Sequence, residues 1–120
     1  SDPRNKTLVH PRYNSGTDQE SRFGEGLTVG DFDGDRQLDL AVSASNKSQG
    51  LGEVVVFYGP TWSSSRYEVY GPLSPTDVWL GGYLLGMDVN HDKRTDLLMS
   101  AWGYASSNRA GIFQLLYDNL

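Results

Sequence analysis

The chain has 120 residues, a net charge of −5 with a pI of about 4.8, and no cysteine. This length suits one ordinary domain, the acidic balance argues against a nucleic-acid groove or an anionic membrane surface as partner, and the lack of cysteine excludes disulfides and thiolate metal sites. No apolar run approaches the roughly 18 residues of a membrane span, so no membrane insertion by this segment is expected.

The opening Ser1-Asp2-Pro3-Arg4 reads as an internal fragment or a processed chain, so a missing signal peptide does not argue for the cytosol. Basic Arg4, Lys6 and Arg12 are diluted by Asp2, Asp18 and Glu20, as on a solvated surface. Lys6–His10 reads as a first short strand. Beyond it, short β-branched or aromatic runs alternate with Gly, Pro, Ser and Asn clusters, and no helical stripe is present. The predicted strands are Phe23–Gly30, Leu38–Ser45, Glu53–Tyr58 and, after the Gly59-Pro60 turn, Arg66–Tyr70. The cycle then restarts with Trp79–Met87, Asp96–Trp102 and Gly111–Leu116. Val54–Tyr58 is apolar on both faces and is expected to be buried from both sides. The sequons Asn5-Lys6-Thr7 and Asn46-Lys47-Ser48 fall in polar segments and are compatible with a secreted glycoprotein.

Two of the turns carry the same acidic ladder, Asp31-Phe32-Asp33-Gly34-Asp35 running on to Asp39, and Asp88-Val89-Asn90-His91-Asp92 running on to Asp96. Oxygen side chains at loop positions 1, 3, 5 and 9 suit a hard divalent cation such as Ca²⁺. The first aspartates lie 57 positions apart, and the same offset pairs Gly24 with Gly81, Leu27 with Leu84 and Ser43 with Ser100. A unit of this length used twice is a β-strand repeat. Gly24, Gly26 and Gly30 crowd the strand before the first loop, and Gly81, Gly82 and Gly86 that before the second. Glycine weakens a strand unless another backbone comes close. Strands converging on a propeller axis meet that condition and a flat sandwich does not.

Phe23-Gly24, the loop Asp31–Asp35, Leu38–Val42 and the closing Gly52–Gly59 resemble the FG-GAP repeat. That repeat builds the propeller at the head of integrin α-subunits and recurs in glycosylphosphatidylinositol-specific phospholipase D. The resemblance implies an all-β fold of two β-propeller blades, each a four-stranded antiparallel sheet. Residues 1–22 would form an N-terminal segment, 23–78 the first repeat and 79–120 the second. Two such units cannot close a ring of four to eight blades, so a partial propeller or an oligomer-completed ring is expected. Departures from the pattern are Leu80-Gly81 in place of Phe-Gly, degraded closing elements at Ser43–Ser45 and Ser100–Trp102, and Arg36 and Lys93 at the sixth loop position. That position often wants positive φ, so strained loops are expected.

In the first loop the expected Ca²⁺ ligands are the side chains of Asp31, Asp33 and Asp35, the Gln37 carbonyl and a bidentate Asp39. In the second they are Asp88, Asn90, Asp92, the Arg94 carbonyl and Asp96. With one carboxylate replaced by an amide and with His91, Lys93 and Arg94 nearby, the second site is expected to be weaker. Both ions would be structural, since no activated nucleophile accompanies them. His10 and His91 have no catalytic spacing, Ser43 and Ser100 lack a nucleophile elbow, and Glu20 and Glu25 read as solvated. Trp79 and Trp102 read as packing residues, leaving Trp62 as the best exposed ring for a glycan.

The expected function is a non-catalytic, Ca²⁺-stabilised interaction or adhesion module of an extracellular or cell-surface protein. Its partners would be other proteins, the remaining blades of a propeller or further copies of the chain. The alternatives are an accessory region of a secreted phospholipase D-like enzyme and a carbohydrate-binding propeller.

Overall fold

In the computed structural model, the described residues are 7–11, 21–45, 52–63, 65–71, 77–104 and 112–116. Their regular structure is entirely β. Strands β1 (Phe23–Gly30), β2 (Asp39–Ala44), β3 (Glu53–Phe57) and β4 (Tyr67–Tyr70) form one antiparallel sheet in sequence order. Strands β5 (Asp77–Met87), β6 (Asp96–Tyr104) and β7 (Ile112–Leu116) form a second antiparallel sheet, also in sequence order. Each strand predicted beyond Phe23 is present, with ends displaced by no more than two residues. Both sequons fall wholly or largely outside the described residues.

The strand expected over Lys6–His10 does not form in its described part, residues 7–10 being irregular. This segment is held by its side chains instead of a backbone ladder. Leu8 packs against the outer face of the first sheet. The buried His10 ring stands edge-on to Phe23 at 5.4 Å, and its Nε2 lies 2.9 Å from Glu53 Oε2.

The alternation of β3 explains how the layers form. Val54 and Val56 point into a core shared with Phe32, Ala41, Leu80, Leu97 and Met99, so the two sheets meet on that face. Val55 and Phe57 point the other way, into a cluster with Val42, Leu8, Phe23, Trp62 and Tyr67. The expected two-sided burial is borne out. Each such side chain stabilises the fold by roughly 1.5–3 kcal/mol.

Both sheets carry the same irregularity. Register slips between Phe23 and Leu27 in β1, and between Leu80 and Leu84 in β5. A bulge frees backbone N–H groups that then need a partner. Ser43 Oγ accepts from Gly26 N at 2.8 Å, and the repeat-equivalent Ser100 Oγ accepts from Tyr83 N at 2.9 Å. These serines are therefore structural, as their strand positions suggested.

A close backbone approach is made onto the glycine-rich strand β5 from outside the strands, at Gly52. Gly52, at φ 84°, makes an isolated parallel bridge to Leu80, and a Cβ there would stand 2.4 Å from Leu80 N. A Cβ on Gly24 would meet nothing within 4 Å, and one on Gly30 would first meet the Thr95 side chain.

Candidate metal centre

The first acidic loop joins β1 to β2, and its leading aspartate organises it. Asp31 Oδ1 accepts from Gly34 N at 2.8 Å and Asp35 N at 3.1 Å, and Oδ2 accepts from Arg36 N at 2.8 Å. Asp35 Oδ1 accepts from Gln37 N at 2.9 Å. Asp39 opens β2 fully buried, with Oδ2 accepting from Phe32 N and Oδ1 from Gly59 N, both at 2.8 Å. Phe32, between the first two aspartates of this ladder, plugs into the inter-sheet core and anchors the loop.

Carboxylate oxygens of Asp31, Asp33 and Asp39 lie within 4.8 Å of one another. Asp35 stands outside this trio, exposed and bonded back to its own loop. Gln37 is also exposed and contributes its N–H to Asp35.

Burial above all, then the Asp35 hydrogen bond and the Asp39 charge, pushes the Asp33 carboxyl up to about 6. Asp35 is held below the usual carboxylate range by the Gln37 N–H, against the opposing effect of burial. A guanidinium partly balances the cluster. Arg66, itself exposed, forms a direct ion pair with its Nη2 3.2 Å from Asp33 Oδ2. Its Nη1 donates to Gly59 O at 3.3 Å, and its head lies over the Tyr58 ring.

The second loop, between β5 and β6, repeats this skeleton at the same offset. Asp88 Oδ1 accepts from Asp92 N at 3.1 Å and Oδ2 from Lys93 N at 2.9 Å, Asp92 Oδ1 accepts from Arg94 N at 2.9 Å, and Asp96 Oδ2 accepts from Val89 N at 2.9 Å. Burial works to raise the Asp88 carboxyl, but the N–H groups of Lys93, Asp92 and His91 together hold it below the usual range. Asp96 is fully buried, and its Oδ1 has no hydrogen-bond partner. Asn90 is exposed. Among the described residues, the convergence of three carboxylates belongs to the first loop alone. The Arg94 side chain reaches across to the other loop, where its Nη2 donates to Asp33 O at 2.8 Å.

Strain falls where the missing glycines predict it. Arg36 and Lys93, at the sixth position, have φ of 69° and 70°. The fourth position is also left-handed, occupied by Gly34 at 77° and by His91 at 61°.

Several other sequence candidates resolve as structural groups, while the side chains of Trp79 and Trp102 lie outside the described residues. His10 is buried against Glu53. Glu25 bonds Ser45 Oγ and lies 3.9 Å from Arg22, whereas Glu20 is outside the described residues. Trp62 is half-buried on the outer cluster with its Nε1 donating to Leu38 O at 2.8 Å, so it is not the free ring expected for a glycan. Missed from sequence were Arg66 and Thr95, which reach the first loop from distant positions. Only the apolar Phe32 inside an acidic ladder gave a local sign of docking.

Three half-buried or buried carboxylates meeting in a loop fit a hard divalent cation, since each oxygen holding an N–H keeps a further lone pair. Fold and site together define a tandem pair of β-propeller blades, each with an acidic loop between its first two strands. Residues 23–57 match the family model of the FG-GAP repeat. The chain belongs to the FG-GAP repeat family. It is 34% identical over 96 residues to integrin alpha-M of Mus musculus, covering 74% of this chain and 8% of that protein. It is 32% identical over 111 residues to phosphatidylinositol-glycan-specific phospholipase D of Mus musculus, covering 87% of this chain and 13% of that protein. Integrin alpha-D of Homo sapiens is 34% identical over 89 residues, covering 68% of this chain and 8% of that protein. The chain thus spans only a small part of the length of these relatives.

Proposed function

We propose that the chain is a non-catalytic, Ca²⁺-stabilised propeller module of an extracellular or cell-surface protein, serving protein–protein interaction or adhesion. The convergence of Asp31, Asp33 and Asp39 in an FG-GAP loop carries this proposal. The first-loop ligands are Asp31, Asp33 and Asp39, with Asp35 and the Gln37 carbonyl completing the shell. Asp88, Asn90, Asp92, the Arg94 carbonyl and Asp96 form a weaker second site. Bound Ca²⁺ would neutralise the repelling carboxylates and stiffen the turn, and the residues around it hold the loop without doing chemistry. The likeness to integrin alpha chains supports the location and the adhesive role.

The outer faces support a need for partners. Cross-strand register puts Leu27 and Val29 beside Val42 and Leu40 on the face of the first sheet turned away from the second, where they are 61% and 45% exposed. On the second sheet Leu85 and Met87 alternate away from the inter-sheet core and are 52% and 48% exposed. Neighbouring blades, another protein or further copies of the chain would cover them. A specific observation also favours a second reading: the match to phosphatidylinositol-glycan-specific phospholipase D covers more of this chain than the integrin matches do. On that reading the module is an accessory region of such an enzyme.

The test is Ca²⁺ titration calorimetry on the intact protein and on its Asp31→Asn variant. A tighter site in the wild type that is lost in a folded variant is expected. Identical isotherms would overturn the assignment.

A further inference from the structure

We propose that Arg94 and Thr95 of the second repeat are positioning residues for the first metal loop, so that cation binding in the two loops is coupled across the blade boundary. The inference rests on the calcium reading above.

Two of the three converging carboxylates belong to residues whose backbone is held by the second repeat. Asp31 N donates to Thr95 Oγ1 at 3.0 Å, and Thr95 N donates to Asp31 O at 2.9 Å, so one residue grips Asp31 from both sides. Two peptides further on, Arg94 Nη2 holds Asp33 O at 2.8 Å. The fit is close: a Cβ on Gly34 would stand 2.4 Å from Arg94 Nε, and one on Gly30 would stand 2.5 Å from Thr95 Cγ2. Between the two gripped residues, Phe32 is buried in the core that both sheets build. Only Asp39, the third carboxylate, is fixed wholly within the first repeat, by Phe32 N and Gly59 N.

The clamp also belongs to the second loop. Arg94 and Thr95 lie between Asp92 and Asp96, and Asp92 Oδ1 accepts from Arg94 N at 2.9 Å. A cation that orders Asp88, Asp92 and Asp96 therefore orders the residues that grip Asp31 and Asp33. Coupling between two binding sites is reciprocal, so each cation strengthens the hold on the other. Inter-blade adhesion alone would need the Thr95–Asp31 and Thr28–Gly86 bonds but no dependence of cation affinity upon them.

Thr95→Val keeps size and charge while removing the hydroxyl acceptor, and Arg94→Lys keeps charge while removing the guanidinium fork. Each is tested in the intact protein by Ca²⁺ calorimetry and by the rise in Tm that Ca²⁺ gives over chelator. Asp31→Asn defines the share of both responses belonging to the first loop. Each clamp variant is expected to weaken first-loop affinity about fivefold, the loss of one net hydrogen bond, and to shrink the first-loop share of the Tm rise. Tm values that fall equally in Ca²⁺ and in chelator, with unchanged affinity, overturn the proposal and leave the residues as interface contacts. If the wild type shows no Ca²⁺ response that Asp31→Asn removes, the calcium reading itself fails. Should Thr95→Val not fold, Arg94→Lys alone decides by the same two readouts.

Discussion

Replacing Asp39 by Asn separates what the first loop owes to hydrogen bonding from what it owes to a cation. Asp39 is fully buried, and each of its oxygens accepts one backbone N–H, from Phe32 and from Gly59, at 2.8 Å. It thereby ties the loop to the turn that follows β3. Asparagine offers one acceptor oxygen, so its amide nitrogen must face the other N–H, donor against donor. Losing a bond to a charged acceptor and stranding a buried N–H costs about 2–4 kcal/mol together. That cost needs no cation, so urea unfolding in chelator should show it as a lower midpoint at unchanged m-value. Asp33→Asn should behave oppositely. Burial, the Asp35 hydrogen bond and the Asp39 charge already push the Asp33 carboxyl up to about 6, so neutralising it spares the chelated protein while removing Ca²⁺ stabilisation. An Asp39→Asn protein as stable in chelator as the wild type would refute the hydrogen-bond account.

Calorimetric titration should resolve two classes of Ca²⁺ site, the tighter lost with Asp33→Ala, because Asn90 replaces a carboxylate in the second loop; equal affinities would contradict the charge-count argument. Acid should weaken the first site. Because the folded-state pKa of Asp33 is raised, its neutral form is favoured below about pH 6, and a proton must leave before the oxygen can bind a cation. Affinity should therefore hold above that pH and fall as the pH drops through it, with proton release visible as a buffer-dependent binding heat; a flat profile across this window would count against Asp33 as ligand. Gly52→Ala should destabilise the protein by about 3 kcal/mol or more, because φ is 84° and the new Cβ would stand 2.4 Å from Leu80 N. Thermal unfolding at wild-type Tm would show that the two sheets can separate at that bridge without cost.

Much of the fold was legible because its signals are local. Val54–Phe57 declares two-sided burial by composition alone, and the repeat offset that pairs Asp31 with Asp88 also pairs the bulge-satisfying Ser43 and Ser100. The acidic ladders located both loops. What was illegible depends on contacts distant in sequence. Asp33 meets Arg66 and Arg94, and no spacing rule announces either. Lys6–His10 reads as a strand by pattern, yet its described residues serve the sheet through the Leu8 and His10 side chains. Asp35 sits on the expected odd position, but it accepts from Gln37 N and touches only the Asp33 edge of the cluster, outside the converging trio.

The second loop shows what sets the shape of the turn. It lacks glycine at both left-handed positions, and His91 and Lys93 take φ of 61° and 70° against a cost of about 1–2 kcal/mol per residue. Glycine therefore cannot be what imposes this conformation. The common factor is the leading carboxylate, since Asp31 and Asp88 accept the same pair of backbone N–H groups, four and five residues on. The closing carboxylate likewise accepts from the residue after the leading aspartate in both loops, Phe32 and Val89. In each loop, at least three of the acids that the sequence marks as ligands thus serve as hydrogen-bond acceptors that shape the turn, and a cation would use oxygens already in place. Lys93→Gly should consequently leave the Asp88 bonds intact and stabilise the protein by about 0.5–1 kcal/mol, the relieved strain less the entropy that glycine adds to the unfolded chain. Urea unfolding in chelator measures it, and a loss of stability would mean that the Lys93 side chain, not the Asp88 ladder, holds the loop.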